Sequence, residues 1–283
     1  MFKIGTFADW FGVGLIEGIK QSQALGAQGV QVYAWEEFSP YKATPEFLKE
    51  VAMTASAYEQ EIVALCGELG GHGLEIPADN KSKVEYLRRV VDMANCLECG
   101  VITTHIGVVP EDANDDTYKY MQEACQSIGE YATSKAVGIA IETGPEKIVT
   151  LKEFVDSCPG VGINYDPANL VMVTRDDEVA GVITAGESIL HTHAKDGVCY
   201  KAMEPKVAYG IFADGGIEAL SQITEHFEEK PLGEGAVRWR EYLKALQAVG
   251  YDGYLTIERE VQNDATKDIG NAITFLEEQI ANL

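Results

Sequence analysis

The sequence predicts an α/β fold: a single (β/α)8 TIM barrel of parallel strands with outer helices, spanning residues 1–283. Three observations predict it. Eight short apolar runs of β character are spread along the chain, separated by loops and amphipathic stretches with helical spacing. Several runs are apolar at nearly every position, as in Val137-Gly-Ile-Ala-Ile, the composition of a strand covered by helices on a parallel sheet. Polar residues recur at the ends of many of these runs. A closed barrel explains that pattern, whereas an open doubly wound sheet would concentrate them at one switch point. A length of 283 residues is normal for one such barrel, and a hydrophobic content of 46% supplies a large core.

The strand candidates are, in order, Lys3–Phe7, Gly29–Tyr33, Glu61–Leu65, Val101–Ile106, Gly138–Glu142, Gly162–Asp166, Ile189–His193 and Tyr254–Glu258. Helix-like segments between and after them include Lys81–Leu97, Asp116–Lys135, Trp239–Val249 and Thr266–Ala281. Glycines stand at or just before strands at Gly29, Gly100, Gly138, Gly162 and Gly253, and read as helix C-caps or tight turns. One segment breaks the rhythm. From about Gly197 to Gly235 the chain is too long for a simple loop after the seventh strand. It is expected to carry a helix over Ile217–Glu229 and to lie over the barrel mouth as a lid, with an oligomer contact as a compatible second role.

The formal net charge of −23 argues against nucleic acid as a partner, because such a chain repels phosphate backbones. No dinucleotide or P-loop glycine motif occurs, so nucleotide and nicotinamide chemistry lose their usual signals. Cys96 and Cys99 form a lone C-x-x-C with no second pair for a metal ribbon. The start, MFKIGTFADW, has no basic segment leading an apolar run, and no stretch approaches about 18 apolar residues. A cytoplasmic protein without membrane contact is the expectation.

Four consecutive strands end in residues able to bind metal: Ile-Ala-Ile-Glu142, Ile-Asn-Tyr-Asp166, His191-Thr-His193 and Leu-Thr-Ile-Glu258. The C-terminal ends of barrel strands open into one crater, so residues distant in sequence converge there. Three carboxylates and an imidazole make a mainly oxygen site suited to Mn²⁺ or Mg²⁺, with Co²⁺ and Zn²⁺ feasible. Singly, each residue is as readily a helix N-cap, a surface charge or a satisfied core histidine. The residues alone leave both readings open.

Ile-Glu142-Thr-Gly, Asn-Tyr-Asp166-Pro-Ala-Asn169-Leu, His191-Thr-His193-Ala-Lys-Asp196, Gly233-Glu-Gly235 and Gly253-Tyr-Leu-Thr-Ile-Glu258 together resemble the sugar phosphate isomerase/epimerase family. These are xylose isomerase-like barrels that include ketose 3-epimerases and inosose dehydratases. The resemblance runs the length of the chain and is strongest from Glu142 onward. It implies one divalent metal, Mn²⁺ foremost, on Glu142, Asp166, His193 and Glu258. His193 rather than His191 matches, three residues before Asp196; His191 would point the other way or lie deeper. It also implies that Glu142 and Glu258 move protons through a metal-stabilised enediolate of a small sugar or polyol. The chain departs from the 3-epimerases in two places. It has Asn169 where they have a histidine, and Cys199, Tyr200 and Lys201 where they have an arginine.

Further substrate-binding candidates are His105 at the end of strand four, His72 in a glycine-rich loop, Glu146, Asn169, Lys195, and Trp10 after strand one. The expected activity is isomerase or epimerase. A lyase or dehydratase on a keto-sugar, keto-inositol or keto-glycoside is the alternative, and a non-catalytic sugar-binding barrel is a second.

Overall fold

Helix-covered apolar runs must pair with one another on both edges, and closing the sheet on itself satisfies every strand. The computed structural model, which describes residues 1–216, 219, 223–259 and 264–283, does this. In chain order, β1 (Lys3–Phe7), β2 (Gly29–Tyr33), β3 (Glu61–Cys66), β4 (Val101–Thr104), β5 (Gly138–Glu142), β6 (Val161–Tyr165) and β7 (Ile189–Ala194) are followed by a two-stranded hairpin. The hairpin is β8 (Asp196–Cys199) and β9 (Phe227–Lys230), and the last barrel strand is β10 (Tyr254–Ile257). β10 pairs with both β7 and β1, which closes an eight-stranded parallel barrel. In the closing register Lys3 lies opposite Tyr254 and Thr6 opposite Ile257.

The outer layer comprises α1 (Leu15–Ala24), α2 (Pro45–Ala57), α3 (Pro77–Cys96), α4 (Asp116–Thr133), α5 (Ile148–Asp156), α7 (Glu178–Ala185), α9 (Trp239–Ala248) and α10 (Ala265–Ala281), while the single turn α6 (Pro167–Asn169) follows β6 directly and α8 (Pro205–Gly215) belongs to the segment after β7. Their starts follow local chemistry. Thr44, Asp115, Asp177 and Asp264 accept hydrogen bonds from first-turn amides, and α2, α3, α6 and α8 begin with proline. The apolar faces bury Leu87, Met121, Phe154, Leu246 and Leu276 against the barrel.

Two expectations are corrected. The glycines at or before strands are not left-handed caps. Positive φ falls two to three residues earlier, at Gly26, Gly160 and Gly250. Gly29 sits inside β2 because a Cβ there would run into Val63 and Tyr254. In the long segment a helix lies at Pro205–Gly215, and the helix expected over Ile217–Glu229 does not extend over 227–229. Residues 217, 218 and 220–222 fall outside the described residues, and Phe227–Lys230 is a strand. β8 presents an edge there, and β9 pairs with it antiparallel while Phe227 turns into the core.

Asp196 anchors this excursion. Its buried carboxylate accepts from the backbone N–H of Gly197 (2.9 Å), Gly233 (2.9 Å), Gly235 (3.2 Å) and Val237 (3.1 Å), and from Trp239 Nε1 (2.9 Å). Gly235 has to be glycine, because a Cβ would overlap the Asp196 carboxylate. At the far end, Asp214 of α8 meets His72 Nε2 at 3.3 Å in the loop after β3. β3 and β7 are four places apart in a ring of eight, so α8 reaches a loop on the opposite side of the barrel from β7.

Candidate metal centre

The four strand-end residues meet. Glu142 closes β5, Asp166 follows β6, His193 lies in β7 and Glu258 follows β10. One ligand atom from each falls within 4.8 Å of all the others, and every side chain is buried. His193 Nδ1 faces the carboxylates, 3.4 Å from Glu142 Oε2 and 3.1 Å from Glu258 Oε2. Its Nε2 lies 3.2 Å from Gln31 Oε1. Gln31 in turn donates to Thr103 Oγ1 at 2.8 Å, which fixes its amide so that the oxygen faces the imidazoles. Nδ1 is thus the nitrogen turned toward the cluster, while Nε2 lies 3.2 Å from both Gln31 Oε1 and Asn164 Nδ2. His191 points to the same interior, one layer deeper, and also meets Gln31 Oε1, at 3.0 Å. Burial, reinforced by His193, holds His191 neutral, with its pKa well below the usual value.

Asp166 does two jobs. Its Oδ1 caps α6, accepting from Ala168 N at 2.8 Å and Asn169 N at 3.1 Å. Its Oδ2 is buried without a hydrogen bond, 4.0 Å from the Lys195 ammonium. Thr143 ties the ends of β5 and β6 together, donating to Asp166 O and accepting from Asp166 N, both at 2.8 Å. Glu142 accepts from Asn164 Nδ2 (3.1 Å) and Asn169 Nδ2 (3.0 Å). Lys195 Nζ sits 3.1 Å from Glu258 Oε2.

The electrostatics match a site built around positive charge. Burial pushes the Asp166 carboxyl up to about 8, opposed by Lys195. Burial would raise Glu258 too, but Lys195 and His193 hold it well below the carboxylate range. His193 resists the downward pull of burial and is raised by Glu258 and Glu142. Three buried carboxylates confront Lys195, His193 and, at the edge, His105, and Asp166 Oδ2 is buried with no hydrogen bond. Buried carboxylates need a compensating cation. The donor set fits one divalent ion.

Around this group, His105 Nδ1 is 2.9 Å from Glu68 Oε2 and its Nε2 is 3.7 Å from Glu142 Oε1. Burial would lower it, but Glu142 and Glu68 raise it to about 10, so the imidazolium persists. Tyr209 of α8 enters the crater 6.3 Å (ring centroids) from His105, its hydroxyl seated over Gly144, where any Cβ would overlap it. Phe7 packs edge-on against His193 at 5.4 Å. Tyr33 stacks on Phe7 at 5.0 Å, and half-exposed Trp35 stacks on Tyr33 at 4.6 Å.

Of the residues singled out from sequence, Glu142, Asp166, His193 and Glu258 come together, with His105, Asn169 and Lys195 touching them. Trp10 packs edge-on to Phe7, which itself packs on His193, and His72 pairs with Asp214. Glu146 lies one shell outward, accepting from Val109 N at 3.3 Å. Gln31, Asn164, Tyr209 and the aromatic row were missed. The signal for Gln31 and Asn164 was a lone amide within an otherwise apolar strand, Gly-Val-Gln31-Val and Gly-Ile-Asn164-Tyr.

Glu146 supplies a test of these energetics. It is 7% exposed, and burial raises its carboxyl from 4.5 to about 8. A raised carboxyl favours folding while protonated, and that contribution is lost as pH climbs from 4.5 through 8. Glu146→Gln removes the loss, which is on the order of a few kcal/mol. The variant should melt several degrees above the native chain at pH 9 and show no such advantage at pH 5. Equal differences at both pH values would contradict a buried, proton-holding Glu146.

The comparisons agree with this geometry. Residues 19–279 match the family model described as xylose isomerase-like TIM barrel. An uncharacterised protein of Methanocaldococcus jannaschii is 25% identical over 257 residues, 83% of this chain and 77% of that protein. Among solved structures, a xylose isomerase domain protein from Planctomyces limnophilus superposes with TM-score 0.80 at 26% identity, covering 100% of this chain and 99% of that one. A D-tagatose 3-epimerase-like protein superposes with TM-score 0.74 at 20% identity, covering 99% of each chain. The 3-keto-D-glucoside 4-epimerase of E. coli does so with TM-score 0.71 at 12% identity, covering 98% of this chain and 100% of that one. With a family model spanning nearly the whole barrel, and a closed eight-stranded parallel sheet beneath it, the chain belongs to the xylose isomerase-like TIM barrel family.

Proposed function

We propose that this chain is a divalent-metal-dependent isomerase or epimerase of a small sugar or polyol, with Glu142 and Glu258 as its proton-transferring groups. The observation that carries the reading is the buried group of Glu142, Asp166, His193 and Glu258 at the mouth of the barrel. The sugar epimerases among the similar barrels support the choice of substrate class. A divalent ion held there would draw charge from a substrate carbonyl and so make the neighbouring C–H more acidic. The residues do the rest. Glu142 and Glu258 enter from strands three places apart in the ring, so one carboxylate takes a proton from one face and the other returns one to the opposite face. Lys195 and the His105 imidazolium are placed to hydrogen-bond oxygens that gain negative charge. The stacked Phe7, Tyr33 and Trp35 give an apolar wall for a sugar's CH face. The segment 197–235 acts as the lid, with Tyr209 closing over the bound ring and excluding water.

A lyase reading is favoured by one observation. Glu146 is a buried carboxyl that keeps its proton toward pH 8, so it could hand that proton to a departing hydroxyl. A keto-sugar panel with added Mn²⁺ in deuterated water separates the readings. Deuterium in an epimer or isomer supports the first, and an unsaturated product supports the second. No exchange on any ketose would overturn both.

The metal itself is checked by elemental analysis. After incubation with Mn²⁺, Co²⁺ or Zn²⁺ and desalting, one equivalent per chain is expected. Less than a tenth of an equivalent would sink the site. Binding should also raise the melting temperature, because an ion that binds only the folded chain stabilises it.

A further inference from the structure

Arg259 follows Glu258 directly but is not one of the four residues of the cluster. Its side chain is only 13% exposed and pairs through Nη1 with Glu229 of β9, itself 6% exposed. Its Nε lies 3.7 Å from Asp268 in the first turn of α10. Exposed ion pairs contribute little, whereas a pair this buried is costly to break, because the partner left behind is an uncompensated charge. Such a pair fixes the two segments it joins relative to each other. Here they are the end of β10, which carries Glu258, and the hairpin that follows β7, which carries His193.

The links form a closed circuit. β7 ends at Ala194, Lys195 follows, and β8 begins at Asp196. β8 pairs with β9, with Gly197 opposite Glu229. Glu229 holds Arg259, and a peptide bond joins Arg259 to Glu258. Glu258 then returns to the starting point. Its backbone N–H donates to Ala194 O at 3.1 Å, and its Oε2 lies 3.1 Å from both Lys195 Nζ and His193 Nδ1. Displacing β9 therefore displaces Arg259, and with it the last of the four ligand residues. Asp196 supports the root of the same excursion by its own hydrogen bonds to Gly233, Gly235, Val237 and Trp239. Loss of the Arg259 pair thus leaves the hairpin a second support.

We propose that Arg259 is a positioning residue for the metal centre: held by Glu229, it sets Glu258, and it links occupancy of the centre to order in the β8–β9 hairpin. The proposal rests on the metal reading given above. Linkage is reciprocal. An ion that draws Glu258 into place steadies the hairpin, and a hairpin cut loose from Arg259 weakens the hold on the ion.

Mn²⁺ binding is measured by calorimetry on the native chain, Arg259→Gln, Glu229→Gln and the double variant. Hydrogen exchange of the 227–230 amides is followed with and without Mn²⁺, and melting of each metal-free chain shows that it is folded. Each single variant should bind Mn²⁺ about tenfold more weakly, the low end for losing a residue that orients a ligand. The double variant should bind no more weakly than the worse single one, because two residues acting through one contact are not additive. Arg259→Lys keeps the charge without the planar fork and should recover part of the loss. Mn²⁺ should slow exchange over 227–230 in the native chain and leave it unchanged in Arg259→Gln. Should Arg259→Gln fail to fold, Glu229→Gln and Arg259→Lys carry the same comparison. A folded glutamine variant that binds Mn²⁺ within about twofold of the native chain overturns the proposal and leaves the metal centre standing. So does a double variant that loses the product of the two single losses, or equal slowing of exchange with and without the Arg259 pair. A native chain that takes up no Mn²⁺ overturns the metal reading and the linkage together.

Discussion

Glu142→Gln and Glu258→Gln should each lower turnover at least about a hundredfold while retaining metal, the low end of what a positioned general base supplies. Glutamine keeps the length and one coordinating oxygen but accepts no proton at neutral pH. At Glu142 the glutamine NH₂ meets an amide donor, because Asn164 and Asn169 each donate to a different oxygen of that side chain, so the melting temperature has to be measured beside the rate. Metal content has to be measured beside the rate, because a variant that has merely lost its ion says nothing about proton transfer. Asp166→Asn is the contrast. One Asp166 oxygen is already committed to capping α6, and the other has no assigned proton to move. That variant should bind metal more weakly and recover part of its activity at high metal concentration. A fully loaded but dead Asp166→Asn, beside an active glutamine variant, would move the base to His105, His191 or Lys195.

Asp196→Ala should be the most damaging substitution outside the cluster. Its carboxylate takes four backbone N–H groups and one indole N–H. Each buried donor left without a partner costs about 1–3 kcal/mol. Even with partial relaxation and water entry, the loss should reach about 4 kcal/mol, a fall of roughly 10 °C in melting temperature for a chain of this size. A drop under about 3 °C, measured with and without Mn²⁺, would show that the Gly233–Gly235 turn holds itself in place. Trp239 fluorescence should change in the same variant, because its indole loses the acceptor.

The barrel was legible because its strands are apolar on both faces and because strand-end polarity recurs around the ring. The convergence of Glu142, Asp166, His193 and Glu258 followed from topology alone, since parallel strands in a closed ring share one end. The long segment after β7 was visible as excess length, but its helix at Pro205–Gly215 and its strand at Phe227–Lys230 were not. The Ile217–Glu229 stretch resembles a helix in isolation, and the pairing of Phe227–Lys230 with β8 is a tertiary choice. Gln31, Asn164 and Tyr209 were hidden for a related reason. What matters about them is the neighbour each meets across the interior, and no spacing along the chain encodes that. His191 and His193 illustrate the point. Being two residues apart in a strand places both inward, but only the Gln31 contact shows which imidazole nitrogen is left to face the carboxylates.

The pairing of Lys3 with Tyr254 also orders events in time. β1 emerges from the ribosome first, and one of its two partners among the last. At about 5–20 residues per second, its open edge waits on the order of tens of seconds. Glu142, Asp166 and His193 come from three neighbouring strands made in succession, whereas Glu258 follows the strand that closes the ring. Barrel closure and completion of the four-residue cluster are therefore one event. A nascent chain short of β10 would expose two unpaired sheet edges and an unfinished acidic pocket, a state for chaperones to shield until the final helix docks.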